Sequence, residues 1–175
     1  IRARIDVGDV LGGSRGAYSN LGRPLDAQQL YEEAAEINDL WLDEDPMYVV
    51  PTLLHMQILT RKGDVRYLAG TPEQAQPLYS EIVDYGRMLL DNDAAMFQHI
   101  RVMYQASLRL ADCHAEAGRL DEMLKSVKSA RSILEQNIDD LNAYGVRRDL
   151  ALISRREGYA VYEQVSAIEG EETAR

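Results

Sequence analysis

The feature that most narrows the fold is a recurrence. From Gly22, Ala27 stands at plus five, Tyr31 at plus nine and Ala34 at plus twelve. From Gly70 the same offsets give Ala75, Tyr79 and Ile82, and from Gly118 they give Met123, Val127 and Ala130. The anchors are 48 residues apart both times. A second marker keeps the same step: Leu42-Asp43, Leu90-Asp91 and Ile138-Asp139. A fixed period of this size, with a turn glycine ahead of small and aromatic residues at helical spacing, is the mark of a helical repeat array. The fold class this predicts is all-α: about three long helix pairs plus a terminal helix, each pair needing its neighbours to bury its apolar face.

Breakers and periodicity place the pieces. Repeats are expected at about 1–43, 46–91 and 94–138, the terminal helix at 141–168, and an acidic, frayed tail at 169–175. Gly12, Gly13, Ser14 and Gly16 lie too close together for a helix interior, so 12–21 reads as a loop that inserts seven residues the later repeats lack. Pro24 suits the first turn of the next helix, whose buried stripe is predicted as Leu30, Tyr31, Ala34, Ile37, Leu40 and Trp41. Asp45-Pro46 reads as a helix start, Thr71 to Gln74 as a capping box and Asp93 as an N-cap. Pro77 is expected to bend its helix. Asp91-Asn92-Asp93 fails the calcium-loop pattern, which needs glycine and glutamate where Met96 and Val102 stand, so these aspartates read as structural caps.

Several classes fall away. A formal net charge of −10 argues against nucleic acid and anionic membrane as partners and fits a basic peptide. No apolar run approaches the roughly 20 residues of a membrane span. Cys113 stands alone, so no intramolecular disulfide is available. A chain opening on Ile1-Arg2-Ala3-Arg4 reads as part of something larger. His55, His99 and His114 share no metal-ligand spacing, and no nucleophile elbow or phosphate-cradling loop is present. No cofactor, metal or catalytic set is predicted for this segment.

On Gly22, Ala27, Tyr31 and Ala34, then Gly63, Gly70, Ala75 and Tyr79, then Ala111, Gly118 and Ala130, the chain resembles the tetratricopeptide repeat family. The period departs from the family's, which is about 34 residues; Met123 and Val127 also replace the usual small and aromatic residues. The resemblance implies a right-handed superhelix that binds proteins on its concave side. Gly8-Asp9-Val10, a glycine-rich loop and Asn20-Leu21-Gly22 are similar to repeat regions that follow the kinase domain in some bacterial serine/threonine protein kinases. No kinase motif lies in these residues, so a kinase domain is expected upstream of Ile1 if the parent is one. The compartment stays open between cytoplasmic and, for a membrane-spanning kinase, extracytoplasmic.

The resemblance also implies a site. Aligning Gly8-Asp9-Val10 with Gly63-Asp64-Val65 and Ala111-Asp112-Cys113 would place Asp9, Asp64 and Asp112 in a column down the groove, with Gln57, Gln105 and Glu116 beside it. One reading is an acidic groove for a Lys- or Arg-bearing peptide; the other pairs each aspartate with a basic residue on an adjacent helix. Arg147, Arg148, Arg155 and Arg156 form two adjoining strips on the last helix, either a basic patch or partners for acidic neighbours. The expected function is a protein-binding or scaffold segment of a bacterial signalling protein. The alternatives are a helical enzyme or metal protein using the aspartate column, and a structural spacer or dimerisation element.

Overall fold

A computed structural model of the chain describes residues 1–13, 21–137 and 143–173. Among these the protein is all-α. Helix α1 spans Arg2–Gly8 and passes into a π-helical turn at Asp9–Gly13. Then come α2 (Pro24–Glu44), α3 (Val49–Leu68), α4 (Pro72–Asp91), α5 (Phe97–Glu116), α6 (Leu120–Gln136) and α7 (Ala143–Thr173). Each packs on the next in sequence, and α3 also touches α5. Helices α3 and α5 therefore lie side by side, with α4 wedged against both.

The anchor glycines work at the turns. Gly70 and Gly118 have φ of 79° and 68°, a region costly for residues with a Cβ. Behind Gly70, the N–H of Thr71 donates to Arg66 O and that of Gly70 to Tyr67 O; Arg119 and Gly118 repeat the pattern on His114 and Ala115. These are Schellman caps, and they satisfy the orphan carbonyls that end α3 and α5. The first unit is closed otherwise. Leu21 N–H donates to Val10 O and Arg23 N–H to Leu11 O, pinning both ends of the glycine loop. Gly12 lies at φ 153° against the backbone of Arg23, where a Cβ would come within 3.0 Å of its nitrogen. Residues 14–20 of that loop lie outside the described residues.

Two apolar clusters form the interior. The smaller joins Ile5, Ala27, Tyr31 and Ala34 to Leu54, Ile58 and Val65. The larger runs from Met56 on α3 to Ala160 on α7. On α2 the buried stripe is Ala27, Tyr31, Ala34 and Asn38. Leu40 and Trp41 are 65% and 46% exposed, contrary to the sequence expectation, because the buried part of the stripe stops at Asn38. There the Asn38 amide donates to the Pro51 carbonyl at 3.0 Å.

Helix starts differ most from expectation. Helix α3 begins at Val49 because Asp45 forms a turn around Pro46, its carboxylate accepting from Met47 N–H at 3.0 Å. The Thr71 hydroxyl donates back to Arg66 O at 2.8 Å and forms no capping box. Asp93 sits at φ 53° and is not the cap of α5, which starts after Met96. Helix α4 continues through Pro77. Helix α7 runs to Thr173, past the expected frayed tail at 169, leaving 174–175 outside the described residues.

The start of α5 carries a buried titratable group. His99 Nδ1 accepts from Met96 N–H at 2.9 Å, so the ring proton lies on Nε2, 2.9 Å from the Thr52 hydroxyl. Burial holds the His99 pKa below its ordinary 6.5, and His114 shifts the same way. The unfolded chain then takes up protons first as pH falls, so this part of the stability is present above the ordinary value and is lost below it. Melting temperature is expected to fall between about pH 7.5 and pH 5.5. His99→Gln keeps a donor toward Thr52 and removes the titration, so its melting curve should depend less on pH; an unchanged dependence would exclude His99 as the source.

Candidate functional site

The aspartate column is assembled by a repeated packing unit. On α1, Gly8 leaves room for the Tyr31 ring of α2; a Cβ there would come within 2.6 Å of Tyr31 Cε1. Gly63 and Tyr79 repeat this to the same distance. In each case the ring crosses the glycine and its hydroxyl donates to the next residue, Tyr31 to Asp9 at 2.7 Å and Tyr79 to Asp64 at 2.8 Å. Burial, and then the Asp9 carboxylate, raises the Tyr31 pKa far above its ordinary value and keeps the phenol a donor. In the third unit Ala111 and Val127 take the places of glycine and tyrosine. There Tyr104 on α5 donates instead to Asp149 of α7, and burial with that bond pushes its pKa up to about 12.

Each aspartate also meets an arginine from the next odd-numbered helix. Arg61 Nε donates to Asp9 at 2.7 Å. Arg109 engages both oxygens of Asp64, at 2.8 and 3.4 Å, and Arg156 both oxygens of Asp112, at 3.1 and 3.3 Å. The column is thus a ladder of ion pairs linking the turn after α1 to α3, α3 to α5 and α5 to α7. Arg156 stands among the expected partners for acidic neighbours; Arg61 and Arg109 carry a signal that the sequence reading passed over. Arg61-x-Gly63-Asp64, Arg109-x-Ala111-Asp112 and Arg156-x-Gly158-Tyr159 recur at 48 and then 47 residues. In the first unit the equivalent place is held by Asp6.

Two adjoining depressions lie along the ladder. One, of about 230 Å³, is lined by Arg2, Asp6, Asp9, Gln57, Arg61, Gln105 and Arg109 among others. The next, of about 270 Å³, shares Gln105 and Arg109 and adds Asp112, Arg148, Asp149 and Arg156. Together five arginines and four aspartates line them, which matches the reading that pairs each aspartate with a basic residue on an adjacent helix and not the acidic groove. The carboxylates are there, but Asp9 and Asp112 spend their charge on arginine, and Asp64 is fully buried beneath the surface.

Of the expected groove residues, Asp9, Gln57, Gln105 and Asp112 meet along this floor. Glu116 does not: it accepts from Tyr67 at 3.3 Å and lines a separate depression with Pro72 and Glu73. The four arginines of α7 divide. Arg156 and Arg148 turn to Asp112 and Asp149, while Arg147 and Arg155 are exposed elsewhere, so no single basic patch forms. Among the described residues no group of three or more His, Cys, Asp or Glu is placed to hold a metal ion. No described helix is long and apolar enough to cross a membrane. What the floor offers is amides and paired charges at regular intervals, a chemistry of hydrogen bonding. Compared with known proteins, the chain matches no family model, no curated protein and no solved structure.

Proposed function

We propose that this chain is a tetratricopeptide-like interaction module of a larger signalling protein, taking an extended segment of a partner protein along the face made by α1, α3, α5 and α7. The observation that carries this reading is the pair of joined depressions, in which Gln57 and Gln105 stand between ion pairs. The two glutamines are 48 residues apart, so equivalent amides face the groove one unit apart. The Gln57 oxygen accepts from Arg2 at 3.1 Å, so it is the amide N–H groups there that are offered to the C=O groups of an extended peptide. The Asp–Arg ladder holds the floor rigid at little net charge. Rigidity matters because a preformed surface leaves less ordering entropy to offset on binding. Partner choice then rests on spacing and hydrogen bonding more than on a surplus of acid, and a partner of mixed charge fits as well as a basic one.

Selection of extended peptides from a random displayed library tests this. Selected peptides should compete with one another, and Gln57→Ala with Gln105→Ala should weaken them by about tenfold or more, the value of one or two hydrogen bonds. Both amides are half-buried at the surface, so the melting temperature should hold. Peptides that bind the double variant as tightly as the original would place recognition elsewhere and sink this reading.

A further inference from the structure

A cleft between α4 and α6 shares no lining residue with the groove and differs from the rest of the protein in charge. It holds about 420 Å³, within the size range of small-molecule pockets. Its floor is apolar, made by Met103 of α5, Leu90 of α4 and Ile133 of α6. Close packing on Gly86 fixes Met103, since a Cβ on that glycine would fall 2.5 Å from the thioether sulfur. The rim is cationic. Lys125, Lys128, Ser129 and Ser132 follow one face of α6 at helical spacing, and Arg87 comes from α4. Among the described residues no carboxylate lines the cleft, in a chain with 29 acidic residues against 19 basic ones. The acids nearby are engaged elsewhere or exposed. Glu157 of α7, which feels the charge of Lys128, is held by Arg131 at 2.6 Å. Asp84 meets one nitrogen of Arg87 at 3.2 Å in an exposed pair of the kind that contributes little, and the other nitrogen lies 3.4 Å from the Ser129 hydroxyl.

The repeat supplies an internal comparison. One period of 48 residues earlier, Asp39, Glu81 and Asp84 hold the places of Arg87, Ser129 and Ser132, and Pro77 and Ser80 those of Lys125 and Lys128. His55 and Tyr85 hold the places of Met103 and Ile133. Their rings meet there at 4.9 Å, with Glu81 3.6 Å from the histidine. The same place in the scaffold is acidic and aromatic in one unit and cationic over an apolar floor in the next, so the fold alone does not dictate the cations. Apolar walls that carry one sign of charge concentrate the field on a counter-ion. Three cations and two hydroxyls suit a dianion with three terminal oxygens better than a carboxylate with a single charge. The apolar floor suits an organic group on the remaining oxygen. We propose that this cleft binds a small phosphate monoester. Its phosphoryl group sits among Lys125, Lys128, Arg87 and the two serines, and its organic group lies over Leu90.

An NMR titration of the whole 175-residue chain with phenyl phosphate tests the proposal. Amide signals within 125–137 should shift and saturate, with a dissociation constant of about 1 mM or tighter. Inorganic phosphate, which lacks the ring, and benzoate, which lacks the phosphoryl group, should each bind at least about threefold more weakly. Lys125→Gln with Lys128→Gln should weaken phenyl phosphate at least about tenfold, whereas Arg147→Gln on α7 should leave it unchanged. Both lysines are exposed, so the melting temperature should hold. Ser129→Asp, which sets a carboxylate among the cations, should weaken binding by itself and serves if the double variant does not fold. Absence of saturation by about 20 mM overturns the proposal. So does benzoate binding as tightly as phenyl phosphate, or an equal loss on Arg147→Gln, which would mean general attraction to the protein's cations. A phosphoserine peptide binding more than about tenfold tighter than phenyl phosphate overturns it too, since the occupant is then a protein segment. None of these outcomes touches the groove reading, which uses other residues.

Discussion

Arg109→Ala will destabilise the protein by about 3–5 kcal/mol, more than the loss of either other arginine of the ladder. The three ion pairs look alike, but burial separates them. The Asp64 side chain has no solvent access, whereas Asp9 and Asp112 keep 28% and 22% of theirs. Removing Arg109 leaves a carboxylate inside the protein without the cation that meets it at both oxygens. Water can reach Asp9 and Asp112 once Arg61 or Arg156 is gone, so those variants should cost about 1–2 kcal/mol. For a chain of this size the larger loss lowers the melting temperature by about 10 °C. Calorimetry on the three alanine variants orders them. Asp64→Asn added to Arg109→Ala should recover a good part of the loss, because a buried amide is far cheaper than a buried charge. Three equal losses would mean that burial is not what distinguishes the pairs.

That ranking also marks what the amino-acid order could tell. The period was legible because turn glycines and small residues obey local rules: Gly70 and Gly118 end helices by their backbone conformation, and Ala75, Tyr79 and Ile82 follow one helical stripe. Helix starts were less legible, since competing local bonds decide them. Asp45 turns its carboxylate to a proline turn, and Thr71 turns its hydroxyl to the helix behind it. Burial on α2 was misjudged because Leu40 and Trp41 look like core residues by type, yet the stripe that meets α3 ends on Asn38. For the site, the aspartates could be lined up from Gly-Asp pairs, but their charge could not be judged alone. The compensating arginines lie 52, 45 and 44 residues away, one helix pair further on. A reading that looks for like residues at one period finds the column. The other reading, which pairs each aspartate with a basic residue on an adjacent helix, is the one these ion pairs match, but of the three arginines it could name Arg156 alone in advance.

The same glycine-to-alanine change should act with opposite sign in two units. At Gly63 a Cβ would fall 2.6 Å from Tyr79 Cε1, closer than real contacts allow. The ring cannot easily give way, because it is fully buried and its hydroxyl is tied to Asp64. Overpacking of this kind costs about 1–3 kcal/mol. Weakening a hydrogen bond to a buried carboxylate adds to it, while alanine's helix propensity returns up to about 1 kcal/mol. A net loss of about 2–3 kcal/mol is expected for Gly63→Ala. Gly158→Ala has open space and should gain up to about 1 kcal/mol. The third unit already holds the alternative pair, Ala111 with Val127, at the same two places. Gly63→Ala combined with Tyr79→Val should therefore cost less than the two single changes added together, by about 1–2 kcal/mol in a double-mutant cycle. Full additivity in that cycle would mean that the glycine is not there to receive the ring. It would then also remove the reason for treating Gly8 and Gly63, with their tyrosines, as the packing unit that positions the aspartate ladder.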